Sequence, residues 1–171
     1  MAVIGPRIVI GFDTSLRSTG VGVIAVEGTL RKPLYYANIH IPQGWPMSRA
    51  LAHLDQKITE ILEEFKPTDA ALEGVYYAKN VRTSMILCHA RGVVVTACAR
   101  RDIPIAEYSP AEIKRAVTGI GSAEKMQVQA MVARILALPP PLQNDAADAL
   151  AIALTHLHRS TGVLALQPNF I

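Results

Sequence analysis

Three strand-like runs in the first forty residues, followed by helix and strand signals in strict alternation, restrict this chain more than any other feature. "RIVIGFDTS" (7–15) is apolar and β-branched and runs into a turn, "TGVGVIAVEG" (19–28) repeats the pattern, and "PLYYANIHI" (33–41) continues it. Runs this closely spaced form an antiparallel meander. "PMSRALAHLDQKITEILEEFK" (46–66) then places apolar residues at 47, 51, 54, 58, 61, 62 and 65, a helical spacing closed by Pro67. "DAALEG" (69–74) is a short strand ending in an acid, a helix spans roughly 80–101, and "IPIAEYS" (103–109) is a further strand. Ser109 and Pro110 sit as N-cap and first helical residue of the next helix. A helix follows over about 122–137, "LPPPLQ" is a stiff linker, and Asn144 is placed to cap the last helix. The order β-β-β-α-β-α-β-α predicts an α/β fold: one mixed five-stranded sheet, three antiparallel strands extended by parallel βα units, with helices on both faces.

The chain has 171 residues, half of them hydrophobic and 18% charged, which suits a single domain with a substantial core over 1–171 and a short tail at 159–171. No apolar run reaches transmembrane length and no secretory leader opens the sequence, so a cytoplasmic protein with no membrane partner is expected. Cys88 and Cys98 lack metal or disulfide spacing and are expected as buried thiols. The net charge is only +3, but it is unevenly spread: residues 76–134 hold nine Lys/Arg against four Asp/Glu. Such a basic segment suits a polyanion, although ordinary surfaces also carry it.

The last helix, "NDAADALAIALTHLH" (144–158), sets Asp145 and Asp148 three apart, hence on one face, among alanine, leucine and isoleucine. Asp13 ends the first strand and Glu73 ends the fourth. If those strands are neighbours, both acids emerge at the sheet edge where α/β proteins bind ligands. A last helix lying across the sheet brings the other two acids towards them. Two carboxylates about 6 Å apart repel by roughly 3 kcal/mol at an effective dielectric near 20, so four together call for cations. Oxygen-only donors suit Mg²⁺ or Mn²⁺, and two such ions activate a water and stabilise the leaving oxygen in phosphodiester hydrolysis. A plainer account stays open: an acid in a first helical turn is favoured by the helix dipole alone.

After Glu73, "GVYYAKNVR" places Tyr76 and Tyr77 beside Lys79 and Arg82. Aromatics there can stack on an unpaired base while the cations meet phosphates, or the tyrosines simply pack the loop. "KRAVTGIGSAEK" (114–125) frees the backbone at Gly119 and Gly121, and Ser122 is read as opening a helix with Lys125 in its first turn, a phosphate cradle. Lys114 precedes it.

"GFDTSLRSTGVGVI", "ALEGVYYAKN", "ARG" at 90–92, "GIGSAEKMQVQAMV" and "NDAADALAIALTHLH" together resemble the RuvC family of Holliday-junction resolvases, from about residue 7 to 158. The resemblance implies an RNase H-like fold and a homodimer. It implies Mg²⁺- or Mn²⁺-dependent paired nicking of four-way junction DNA, leaving 5′-phosphate ends, in recombination and repair. It also implies partnership with the branch-migration complex, a junction-binding protein and its helicase motor. It carries the catalytic, metal-binding acids onto Asp13, Glu73, Asp145 and Asp148, the aromatic near the cut onto Tyr76, and basic DNA contacts onto Lys114 and Lys125. The chain departs from the family at Asp13-Thr14-Ser15, where Asp-Pro-Gly is usual, and at Gly74, where a larger polar residue is common. "GFDTSLRSTG" also looks like the first phosphate loop of actin-like sugar kinases, but the chain is too short for their second lobe and second loop. A junction-binding module with a decayed site is the third reading, and the intact acid set speaks against it.

Overall fold

The alternation of signals is realised as one mixed sheet in a computed structural model that describes residues 6–74, 81–142, 144–161 and 169–171. Strands β1 (Arg7–Asp13), β2 (Ser18–Glu27) and β3 (Leu30–His40) form the antiparallel meander, and β4 (Asp69–Glu73) and β5 (Ile105–Tyr108) add parallel to β1. The order is β3-β2-β1-β4-β5-β6. The sixth strand, β6 (Asn169–Phe170), is two residues of the tail paired antiparallel to β5, an edge addition to the expected five. β3 starts three residues before the expected Pro33, because Glu27 pairs with Leu30 across a two-residue turn. Pro33 is tolerated in β3 because this is an edge strand, and the register slips there by one residue.

Strand alternation divides the core in two. Ile10 and Phe12 of β1, Val21 and Val23 of β2, and Ala70 and Leu72 of β4 join one buried cluster with α1 (Met47–Phe65) and α2 (Val81–Ala99). Val9, Ile24 and Ala71 point the other way, into a cluster with α3 (Pro110–Thr118), α4 (Lys125–Ile135) and α5 (Asn144–Thr161). Helices therefore cover both faces, as expected. Burial follows the apolar spacing of α1 at Leu54, Ile58, Ile61 and Leu62, and Lys66 closes the helix in the left-handed conformation. Ser109 caps α3 in a full capping box with Glu112, with Pro110 at the first helical position. On α2, Cys98 is buried and burial pushes its thiol up to about 12, whereas Cys88, expected inside, lies on the exposed side.

α5 lies across the sheet, chiefly over β2 and β1 and reaching β3 on one side and β4 and β5 on the other, and sits almost on the backbone. A methyl group at Gly11 would stand 2.2 Å from the Ala149 carbonyl oxygen, and one at Gly20 would stand 2.0 Å from that of Asp145. Only glycine permits that approach. The far end of α5 is pinned by buried polar bonds. His156, fully buried, meets the Tyr108 hydroxyl at 2.8 Å, and Arg7 bonds Asp69 at 3.0 Å beside it. Clamped at both ends, the helix has one seat, and its first turn overhangs the ends of β1 and β4.

Candidate active site

Asp13 shares the parity of Val9 and Gly11, so it faces α5 from the end of β1. In β4, Ala71 has that parity and Glu73 follows it. The parallel register pairs Phe12 with Leu72, which puts Asp13 and Glu73 side by side one step further on. The two strand-end acids thus project to the same side of the sheet, under the acidic turn of α5.

Asp145 lies in that first turn and Asp148 one turn on. The Ser18 hydroxyl donates a short hydrogen bond to Asp145 Oδ2, and Asn38 Nδ2 donates to the same oxygen at 3.2 Å. Asp148 takes an ion pair from Lys125, with Nζ 2.6 Å from Oδ2. The four acids share one electrostatic field. Burial, then the negative charges of Asp148, Glu73 and Asp145, push Asp13 up to about 7 against the pull of Lys125. Burial and Asp148 also raise Glu73, while Lys114 and Lys125 oppose the rise. The Asp148 hydrogen bond, with the acids behind it, raises the Lys125 ammonium. In their present rotamers no three acidic, histidine or cysteine side chains among the described residues enclose an ion-sized space. Asp145 is turned to Ser18 and Asn38, and Asp148 to Lys125.

Beside these acids opens a cleft of about 250 Å³ lined by Glu73, Lys114, Lys125 and Asp148, with Ile113 and Val128 among its apolar walls. Two cations and two carboxylates on one cleft can hold a polyanion against a metal-binding edge.

Among the residues expected from sequence, the structure brings together Asp13, Glu73, Asp145, Asp148, Lys114 and Lys125. Arg82 stands in the first turn of α2. Tyr76, Tyr77 and Lys79 lie outside the described residues. The expected helix start at Ser122 is corrected. α4 begins at Lys125, with Glu124 as its N-cap and the Gln127 side chain accepting the Glu124 N–H at 2.8 Å. Ser122 lies in an exposed turn ahead of the helix, and Glu124 occupies the cap position that the sequence had suggested for Ser122. Lys125 at the first helical position finds its compensation in Asp148.

Sequence reasoning missed three supporting residues. Ser18 and Asn38 hold Asp145, and Arg91 of α2 donates to the Glu73 carbonyl at 2.8 Å and to Glu107 at 2.5 Å, which fixes the end of β4. The alternation was the available signal for the first two: Ser18 and Asn38 share the face of Gly20, whose register partner is Asn38. The Thr14-Ser15 departure also has its answer here. Buried Thr19 bonds both the N–H and the carbonyl of Ser15, closing the turn after Asp13 without Pro-Gly.

The model of the family described as crossover junction endodeoxyribonuclease RuvC matches residues 9–156. Crossover junction endodeoxyribonuclease RuvC of Desulforamulus reducens is 40% identical over 155 residues, 90% of this chain and 95% of that one. The protein of the same name from Haemophilus ducreyi is 44% identical over 164 residues, 95% of this chain and 85% of that one. The structure of Thermus thermophilus RuvC in complex with Holliday junction substrate superposes with a TM-score of 0.89 at 28% identity, covering 96% of this chain and 99% of that chain. With its mixed sheet, covered faces and rim of acids, and with this likeness over nearly its whole length, the chain has the RNase H-like fold and belongs to the RuvC family of crossover junction endodeoxyribonucleases.

Proposed function

We propose that this crossover junction endonuclease cuts four-way DNA at the rim of its sheet, with Asp13, Glu73, Asp145 and Asp148 as the catalytic carboxylates and the holders of Mg²⁺ or Mn²⁺. The observation that carries the reading is the convergence of four acids from β1, β4 and α5, where burial together with the other three carboxylates pushes Asp13 up to about 7. The family is metal-dependent, and the donors present fit hard divalent cations: all are carboxylate oxygens, and a cation among them turns repulsion into attraction. Four carboxylates match two ions per site. When bound, such ions supply an activated water and neutralise charge on the leaving oxygen.

The chain's own residues supply position. Lys114 and Lys125 flank the cleft and hold the scissile strand through its phosphates, so that the phosphorus is presented to the acids. Lys125 exchanges its bond with Asp148 for a phosphate as DNA arrives, and the freed carboxylate would then be available to help hold a cation. Arg91 keeps the Glu73 backbone fixed through this exchange. Arg82, with Tyr76, Tyr77 and Lys79 ahead of it in sequence, contacts the strand near the crossover, Tyr76 stacking on an unpaired base. Ser122, exposed in the turn ahead of α4, is a further contact to the DNA backbone in this scheme.

Two symmetric nicks need two such sites, so we read the active form as a homodimer of a single nuclease domain spanning 1–171. The exposed Val81 and Met85 on α2, and the apolar groove of Leu51, Gly92 and Val93 beside them, support a partner on that face. The branch-migration complex is the expected companion on DNA and the bacterial cytoplasm the expected compartment; no helix among the described residues is long and apolar enough to cross a membrane. The test mixes the protein with a synthetic four-way junction in Mg²⁺, Mn²⁺ or EDTA. Paired, metal-dependent nicks are expected, with Asp145→Asn binding the junction but not cutting it. Normal cutting by Asp145→Asn refutes the site.

A further inference from the structure

We infer that Ser18 and Asn38 are positioning residues that act through Asp145, fixing one of its carboxylate oxygens so that only the other is offered to the metal. The inference rests on the reading of Asp145 as a ligand given above. Both donors converge on Oδ2: the Ser18 hydroxyl by a short hydrogen bond, and Asn38 Nδ2 at 3.2 Å. They are also linked to each other, Asn38 Nδ2 lying 3.5 Å from the Ser18 oxygen. Both stand on the α5 face of the sheet, Asn38 opposite Gly20 on β3 and Ser18 at the start of β2. The Asp145 backbone rests on Gly20, so main chain and side chain are held from the same strands. With two donors on Oδ2, rotation of the carboxylate is restrained, and Oδ1 takes no hydrogen bond among the described residues.

The cost of this arrangement is visible. Asn38 Oδ1 is buried without a hydrogen-bond partner among the described residues. A buried acceptor left unsatisfied is unfavourable, so an amide at this position is a poor choice for stability alone. Its other end accounts for it: Nδ2 is a directed donor that reaches Asp145. Reversing the amide would set its oxygen against the carboxylate, so the orientation follows from the charge. Donors of this kind, which orient a metal-binding group without touching the metal, typically contribute 10-fold to 100-fold in metal affinity or activity.

The experiment compares wild type with Ser18→Ala, Asn38→Ala, Ser18→Thr and Asp145→Asn, and with Asn38→Ala made on the Asp145→Asn background. Mn²⁺ binding is read by the spin-resonance signal of the free ion, alongside the Mn²⁺ midpoint of junction cutting and the Tm in EDTA. Ser18→Ala and Asn38→Ala should each weaken Mn²⁺ binding roughly 10-fold and raise the cutting midpoint by the same factor, with cutting largely restored at saturating Mn²⁺. Tm in EDTA should hold, Ser18→Thr should bind Mn²⁺ like wild type, and Asn38→Ala should add nothing once Asp145 is gone. If both alanine variants bind Mn²⁺ like wild type while Asp145→Asn does not, the positioning role is overturned and the site stands. A fall in Tm with unchanged Mn²⁺ affinity makes the two residues structural and overturns it as well. Wild-type Mn²⁺ binding and cutting by Asp145→Asn overturns the site, and the positioning role with it.

Discussion

Replacing Gly20 by alanine tests whether the seat of α5 on the sheet sets the geometry of the acids. The added methyl would lie 2.0 Å from the Asp145 carbonyl oxygen and 2.4 Å from its carbonyl carbon, both backbone atoms. No side-chain rotation relieves that overlap. Ordinary contact begins above 3.4 Å, so the first turn of α5 must lift by more than an ångström, carrying Asp145 with it. Overpacking of this kind costs about 1–3 kcal/mol, and at about 2–4 °C per kcal/mol for a chain of this size the Tm should drop measurably. An ångström of misplacement in a catalytic group can cost about 100-fold in rate. Cleavage of a labelled four-way junction under single-turnover conditions, with binding measured by gel shift in EDTA, should show that loss with binding nearly unchanged. Gly22→Ala is the control. Its methyl would meet Leu150 at 2.8–2.9 Å, a milder overlap and further along α5. It should lower Tm while sparing cutting by comparison. Should Gly20→Ala cut at the wild-type rate with a lowered Tm, or lose binding and cutting in equal measure, the reasoning fails.

Asp13→Asn should raise the Tm of the metal-free protein near pH 8, because it removes a carboxylate crowded by three others, and should shrink the stabilisation that Mg²⁺ gives wild type; no Tm gain in EDTA would mean that the acids do not repel. Burial tends to raise Asp69, but hydrogen bonds from His156, Arg7 and Thr68 outweigh it and hold the carboxyl below the usual range. A depressed acid stabilises the fold above its unfolded value of 3.8 and loses that contribution as pH falls below it. Asp69→Asn should therefore cost about 1.5–3 kcal/mol at pH 7, with the difference from wild type narrowing below pH 4 in thermal melts. Tyr76→Ala should slow cutting more than it weakens junction binding; an equal loss in both would remove the stacking role.

Much of this site was legible before any coordinates, because strand parity is a strong rule. Once Val9, Gly11 and Asp13 share a face, and Ala71 and Glu73 share it one strand over, the pairing of the two strand-end acids follows from β1 and β4 being neighbours. The oily flanks of Asp145 and Asp148 required α5 to cover the sheet. Gly11, Gly20 and Gly22 in otherwise β-branched strands were a further sign of close approach. What could not be read depends on short local competitions. The start of α4 turned on whether Ser122 or Glu124 capped it, and a glutamine three residues beyond Glu124 decided the matter. β6 consists of two residues whose partner is far away in sequence, too short to carry periodicity. Ser18 and Asn38 look like ordinary polar strand residues until the Asp145 carboxylate lands between them. Cys88 was misplaced because apolar neighbours on α2 face both inward and outward.

The most direct test is a crystal of the protein soaked in Mn²⁺ and measured at a wavelength where manganese scatters anomalously. The account predicts strong peaks within bonding distance of Asp13, Glu73, Asp145 and Asp148, weakened in Asp145→Asn. Peaks elsewhere, or none at an Mn²⁺ concentration that supports full junction cutting, would contradict it.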